Sequence, residues 1–128
     1  MDLLKVSVNR RSESTYVVSP SGSIDSETYD ILQENLDAIL RSPVKALIFD
    51  MKNVDYMSSM GLKVILKSRE TVERGGGTMV LINLQPQISK IFDIVKAIPT
   101  QNIFSSIDEM DRYLTNIQRK EIEKRRPA

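Results

Sequence analysis

The chain has 128 residues, a hydrophobic share of 41%, a charged share of 27% and a formal net charge of +1, which is ordinary for one globular domain. Cysteine and histidine are both absent, which excludes disulfides, thiolate nucleophiles, Ser–His pairs and the commonest transition-metal ligands. No apolar run approaches the roughly 18 residues of a membrane span, and no secretory signal opens the chain. We therefore expect a cytoplasmic protein with no cofactor, no bound metal and no membrane insertion.

The last part of the chain, residues 119–128, is basic, with five Lys or Arg residues against Glu121 and Glu123. No aromatic residues are interleaved with these charges and no groove-reading motif accompanies them, so we expect no direct nucleic-acid binding. The segment is interpreted as a basic C-terminal helix extension or a disordered tail that follows a domain over residues 1–118.

Two β signals open the chain. Apolar residues alternate with polar ones from Leu4 to Val8, and Thr15–Val18 follows a polar turn, which together predict a hairpin. The next stretch, 19–26, is rich in turn-forming residues, and apolar residues at helical spacing follow it. The sequence therefore predicts a loop, then a first helix capped by Asp25 or Ser26.

The centre of the chain carries the clearest signals. Ala46–Met51 is a nearly continuous apolar run, as in a strand buried on both faces. A turn is predicted over Asn53–Ser59, followed by an amphipathic helix over Ser59–Arg74. Three glycines, Gly75–Gly77, suit the C-cap of that helix.

The remaining elements follow the same alternation. Thr78–Ile82 predicts another buried strand, Ile103–Phe104 an edge strand, and Ser106-x-x-Glu109 a capping box that opens a fourth helix. Before the edge strand, a stripe at helical spacing predicts a third helix with a core-facing side made of Ile88, Ile91, Phe92 and Val95.

Strands that alternate with helices need crossover connections, so the fold is predicted to be α/β with a mixed sheet, parallel central strands and about four helices. Functional loops of such sheets gather at the carboxyl ends of strands. The segments 22–25 and 53–59 both follow strands, and we expect them to be neighbours at that edge.

Two motifs resemble a known family at these segments. Gly22-x-x-Asp25 before a helix, and Leu47-x-x-Asp50…Val54-x-x-Met57-x-Ser59-x-Gly61-Leu62, are similar to the STAS domain of bacterial anti-sigma factor antagonists. The resemblance covers roughly residues 3–118 and implies a small α/β STAS fold without catalytic activity.

The resemblance also implies a regulated partner. In that family the unphosphorylated antagonist binds an anti-sigma factor, which is a serine kinase of the GHKL type, and so releases a sigma factor. The kinase phosphorylates a serine at the start of the second helix, and a PP2C-type phosphatase removes the phosphate.

The family motif Met-Asp-Ser-Ser/Ala/Thr-Gly-Leu aligns with residues 57–62 and places the phosphoacceptor at Ser59, with Ser58 as the alternative. Ser58 stands where the family has Asp, and Met60 where it has a small residue. By resemblance, the partner-binding residues are Gly22, Ser23, Asp25, Tyr56, Met57, Ser58, Ser59, Met60 and Lys63.

Other interpretations of the same residues remain open. The chain is also compatible with a constitutive STAS scaffold, for example a subunit of a lipid-transport ATPase complex, in which the serines only cap a helix. A hydrolase with Ser59 as nucleophile would need Lys63, four residues on, as its base. Asp50 and Asp55 are interpreted as solvated acids at a strand end and in a turn.

Overall fold

In a computed structural model that describes residues 3–96, 98–99 and 102–125, the elements follow the predicted order with one additional strand between the first two helices. The strands within these residues are β1 Lys5–Ser12, β2 Thr15–Ile24, β3 Ala46–Asp50, β4 Asn53–Met57, β5 Thr78–Ile82 and β6 Ile103–Phe104. The helices are α1 Tyr29–Ile39, α2 Ser59–Arg74, α3 Pro86–Val95 and α4 Ile107–Arg125.

The strands form one sheet in the order β1-β2-β3-β5-β6, and β4 pairs with β2. β1 is antiparallel to β2, and the other strand pairs are parallel. The long strand β2 pairs with β3 through residues 15–18 and with β4 through residues 21–24. The predicted mixed sheet, its parallel centre, the opening hairpin and the edge strand β6 are confirmed.

Two segments that were predicted to be turns are strands. Residues 19–24 belong to β2, where Pro20 lies between the stretches that pair with β3 and with β4. A proline, which donates no ladder bond, is tolerated where one side of a strand is unpaired. Residues 53–57 form β4, because Val54 and Met57 are buried in the core while the backbone pairs with β2.

The central strands β3 and β5 are buried on both faces, as the apolar run of β3 predicts. Leu47 and Phe49 join the core beneath α1, α2 and α3, whereas Ile48 joins a second cluster beneath α4. That second cluster also contains Val80, Ile82, Phe104 and Met110. Burying one such side chain contributes about 1.5–3 kcal/mol before entropy is counted, so both layers stabilise the sheet.

The third and fourth helices depart from their predicted patterns at single residues. Ile88 and Phe92 of α3 are buried, but Val95 is 44% exposed, so the core-facing stripe ends one turn early. At the start of α4 the Ser106 hydroxyl accepts a bond from the Glu109 amide (3.1 Å), whereas the Glu109 carboxylate binds the Ser105 hydroxyl. The capping box is therefore only half formed.

The α4 helix continues through residue 118 to Arg125, so part of the basic segment 119–128 is helical and residues 126–128 lie outside the described chain. Within the described ranges, no helix combines the length and the apolar character needed to cross a bilayer.

The glycines after α2 do more than end the helix. Gly75 is the C-cap, as predicted, and its amide bonds the Thr71 carbonyl (3.2 Å). A Cβ on Gly77 would lie 2.0 Å from the Val44 carbonyl oxygen, so only glycine allows this close approach. The approach brings β5 beside β3, where the Thr78 amide bonds the Lys45 carbonyl (3.0 Å).

Candidate functional site

The junction between β4 and α2 lies beside the end of β2. Ser23 and Ile24 pair with Tyr56 and Met57, and the Ser58 amide donates to the Ile24 carbonyl (2.8 Å). The segments 22–25 and 53–59 are therefore neighbours at the carboxyl edge of the strands, as topology predicted. Both enter helices, so the two helix starts lie near the same edge.

The two serines at the start of α2 have different environments. Ser58 is the N-cap residue with extended backbone (φ −84°, ψ 174°), and its hydroxyl accepts a long bond from the Gly61 amide (3.4 Å). Ser59 is the first residue of the helix and is exposed. Its hydroxyl therefore lies where free amide groups and the helix dipole favour a negative charge.

Gly61 holds the first turn of α2 tightly against the end of β2. A Cβ at this position would lie 2.6 Å from Ile24 Cγ2 and 2.9 Å from the Ile24 carbonyl oxygen. Such distances do not occur between real atoms, so the backbone of α2 packs here at a separation only glycine permits. The start of α2 is consequently fixed relative to the strand edge.

The predicted binding surface is exposed in part. Tyr56 is 56% exposed and Lys63 is exposed, while Met60 is half-buried. Met57 is only 5% exposed and its side chain packs in the core, so any part it takes in partner binding, which stays a prediction, falls to its backbone. A register shift between Gly22 and Ser23 places Val54 and Met57 inward and leaves the two residues between them outward.

Asp25, one of the two residues predicted to cap the first helix, caps the turn that leads into α1. Its Oδ1 accepts bonds from the amides of Glu27 (2.9 Å) and Thr28 (3.1 Å). α1 begins at Tyr29 with Thr28 in the N-cap position, but the Thr28 side chain makes no cap bond, and the Tyr29 amide donates to the Asp25 carbonyl (2.9 Å). The capping bonds predicted for Asp25 are therefore present, one turn before the helix begins. The same turn is held by the Thr28 hydroxyl, which donates to the Ser23 carbonyl (2.7 Å) and accepts from the Asp25 amide (3.0 Å).

The structure adds Asp55 to the site, which the sequence interpretation placed in a turn. Asp55 is exposed on β4, where its Oδ1 accepts a bond from the Ser23 hydroxyl (3.1 Å). The Gln87 side chain donates to the Asp55 carbonyl (3.0 Å), so α3 also supports this strand. In the sequence, only the apolar Val54 followed by the polar Asp55 indicated a strand here, and an alternation this short does not identify a strand by itself.

Exposed apolar surface flanks the same edge. Leu3 is 71% exposed and directly precedes Leu4, whose Cα lies 3.8 Å from the position a Gly22 Cβ would occupy. Gly22 has φ +121°, a conformation that side chains rarely adopt and that accompanies the register shift. Together with Tyr56, Leu3 supplies the kind of apolar contact that protein interfaces use.

The carboxylates of Asp50 and Asp55 have different hydrogen-bond partners, and the partners of Asp50 lie in neighbouring turns. Asp50 Oδ1 accepts a bond from the Asn83 side chain (3.0 Å), and Lys52 Nζ lies 3.9 Å from Asp50 Oδ2. Asn83 has φ +60°, so this bond holds the turn after β5 in a left-handed conformation that asparagine tolerates. Asp50 therefore links the end of β3 to the turn that follows β5.

Replacing Ser58 with Ala is expected to lower the free energy of unfolding by about 0.5–1 kcal/mol, because the Gly61 amide loses its cap. The long 3.4 Å bond places the effect at the low end of the range for caps. Urea denaturation measures it, with Ser58→Asp as the control that keeps a capping oxygen. A Ser58→Ala variant at least as stable as the unmodified chain would contradict the capping role.

Comparison with known proteins places this geometry in context. The STAS domain family model matches residues 7–110. The chain is 30% identical over 79 residues to the anti-sigma F factor antagonist of Paenibacillus polymyxa, covering 61% of this chain and 68% of that protein. It is 31% identical over 85 residues to the anti-sigma-B factor antagonist of Bacillus subtilis, covering 66% and 77%.

Solved structures share the fold. The structure of the anti-sigma factor antagonist SpoIIAA in its unphosphorylated form superposes with a TM-score of 0.74 at 16% identity, covering 88% of this chain and 97% of the other. The phosphorylated form of Bacillus SpoIIAA gives a TM-score of 0.70 at 18% identity, covering 85% and 99%. At such identities the likeness concerns the fold.

Proposed function

The chain belongs to the STAS domain family, and we propose that it is a cytoplasmic anti-sigma factor antagonist whose partner binds at the start of α2. The observation that carries the proposal is the exposed Ser59 at the first position of α2, fixed against β2 by Gly61. Around it lie the exposed Tyr56 and Lys63 and the ordered turn of Asp25. This exposed and ordered surface suits the binding of a partner protein. We propose no catalytic activity for the protein itself.

The proposed partner is an anti-sigma factor that is also a GHKL-type serine kinase. Binding of the unphosphorylated antagonist would release the sigma factor, and transfer of phosphate to Ser59 would end the complex. A PP2C-type phosphatase would restore the binding form. The similarity to relatives that are anti-sigma factor antagonists supports this assignment.

A phosphate on Ser59 would act on the complex more than on the fold. It adds about 1.5 to 2 negative charges at pH 7 and three acceptor oxygens. The start of α2 stabilises that charge, whereas a docked partner that presents carboxylates or apolar surface is repelled or left with an unpaired charge. SpoIIAA, which shares the fold, has been solved in both phosphorylation states.

The environments of the two serines favour Ser59 as the acceptor. The Ser58 hydroxyl is half-buried and engaged with the Gly61 amide, while Ser59 is exposed. Phosphate on Ser58 would also have to displace the helix cap. Because Ser58 replaces the Asp of the family motif, Ser58→Asp offers a variant that restores the motif and keeps the cap.

Incubation with the cognate kinase and ATP, followed by mass spectrometry, tests the acceptor directly. We expect phosphate on Ser59, full loss of incorporation in Ser59→Ala, and retained incorporation in Ser58→Ala. Phosphate on Ser58, or none at either serine, would contradict the assignment. Co-purification with subunits of a membrane ATPase instead of a soluble kinase would identify the chain as a constitutive scaffold.

A further inference from the structure

A cavity of about 470 Å³ lies beneath α4 at the amino ends of β3 and β5, on the opposite edge of the sheet from Ser59. Its floor is apolar and almost fully buried, with Ile48 at 1%, Val80 at 8% and Met110 at 1% exposure. Leu114 of α4 is 41% exposed and lines the opening. The volume falls within the range of small-molecule sites.

The walls of the cavity are fixed by contacts outside it. Arg11 of β1 binds Asp111 of α4 (2.6 Å), which joins the opening hairpin to the helix above the sheet. The rings of Phe104 and Tyr113 pack with centroids 5.4 Å apart and hold the other side of α4. The cavity is therefore formed before any ligand enters, which lowers the entropic cost of binding.

The rim beside the cavity is also held by backbone bonds. The Lys45 amide donates to the Ser14 carbonyl (2.8 Å), and the Thr78 amide donates to the Lys45 carbonyl (3.0 Å). These bonds join the turn of the hairpin to the first residues of β3 and β5. The backbone of Lys45 is therefore held in place at the rim, which limits where its ammonium group can lie.

The charges of the rim define what head group can bind. The hydrogen bond that the Arg11 guanidinium donates to the Asp111 carboxylate raises the pKa of Arg11, so that guanidinium stays charged and already has a partner. Among the residues that the structure describes, Lys45 takes part in no ion pair, so its ammonium is available to a ligand. Glu13 lies on the same rim and opposes any second negative charge.

We infer that this cavity binds a medium-chain monocarboxylate, with its hydrocarbon chain over Ala46, Val80 and Leu114 and its carboxylate at the Lys45 ammonium. The apolar floor requires a hydrocarbon or aromatic body, because nothing there would pair with a buried polar group. Lys45 offers one positive charge and Glu13 opposes further negative charge, so a single carboxylate suits this rim better than a polyanion such as a nucleotide. The site is independent of Ser59, which lies at the other edge of the sheet.

Three ligands with one ten-carbon chain and different head groups test the site: decanoate, 1-decanol and decyltrimethylammonium, each below its micelle concentration. Calorimetric titration of the full chain should show saturable binding that is strongest for decanoate. Amide shifts should change around Ala46, Thr78 and Leu114 and stay constant around Ser59. Lys45→Gln should weaken decanoate about fivefold to tenfold, as expected for a charge-assisted bond.

Matched variants keep the result interpretable. Lys67→Gln removes an exposed lysine of α2 that does not line the cavity and should leave decanoate affinity unchanged. Thr78→Phe, at an exposed strand position that accepts aromatic residues, should fill the opening and abolish binding while thermal stability is retained. No saturable binding, equal affinity for the three head groups, or equal effects of the two lysine variants would overturn the inference.

Discussion

Replacing Ser59 with Asp is expected to lower the affinity for the proposed anti-sigma factor partner more than a hundredfold, a cost of about 3 kcal/mol. The carboxylate brings a fixed negative charge to an exposed position that we place at the centre of the interface. A like charge or apolar surface on the partner then has to accept an unpaired anion, which costs several kcal/mol. The free protein should keep its stability, because an acid in the first turn of a helix is favourable.

Calorimetric titration of the anti-sigma factor with the unmodified chain and two variants separates charge from contact. Ser59→Ala removes the hydroxyl without adding charge and should bind close to the unmodified protein. Ser42→Asp places the same charge on an exposed serine in the loop before β3, at the other edge of the sheet, and should also bind normally. Equal losses for Ser42→Asp and Ser59→Asp would contradict a local effect.

Replacing Gly61 with Ala is expected to lower the free energy of unfolding by about 1–3 kcal/mol, as overpacking of a tight core does. The added methyl would lie 2.6 Å from Ile24 Cγ2 and 2.9 Å from the Ile24 carbonyl oxygen, so α2 must move away from β2. That movement strains the bond between the Ser58 amide and the Ile24 carbonyl. We therefore expect affinity for the anti-sigma factor to fall at least tenfold as well.

Gly75→Ala is the matched control for this prediction. Gly75 has φ −85°, and a Cβ there would be no closer than 3.6 Å to a neighbouring atom, so the added methyl makes only ordinary van der Waals contacts. Urea denaturation should find Gly75→Ala close to the unmodified chain and Gly61→Ala clearly weaker. Equal stability of the two variants would show that the contact between α2 and β2 relaxes freely and does not fix the site.

The sequence predicts most strongly where one pattern decides the structure. The amphipathic pattern and Gly75 give both ends of α2, and the apolar runs of β3 and β5 identify buried parallel strands. By contrast, β4 and the second half of β2 are short or polar and contain Asn53, Asp55 and Pro20. They are strands because they pair with each other. Such pairing between distant segments depends on the tertiary structure and cannot be predicted from local β-propensity.

The candidate site divides in the same way. Alignment of a short motif places Ser59 at the start of α2, and capping chemistry explains Ser58. The inward side chain of Met57 depends on a register shift opposite Gly22, which no periodicity reveals. The bond between Ser23 and Asp55 joins residues 32 positions apart and needed the folded chain to be seen.

The most direct test of the switch compares the unmodified chain with protein that carries phosphoserine at position 59, introduced during synthesis so that no kinase is needed. The quantity to measure is the dissociation constant for the anti-sigma factor, with circular dichroism as the check on folding. We predict unchanged spectra and a more than hundredfold weaker complex, about 3 kcal/mol. Equal affinity of the two forms would contradict a phosphorylation switch at the start of α2.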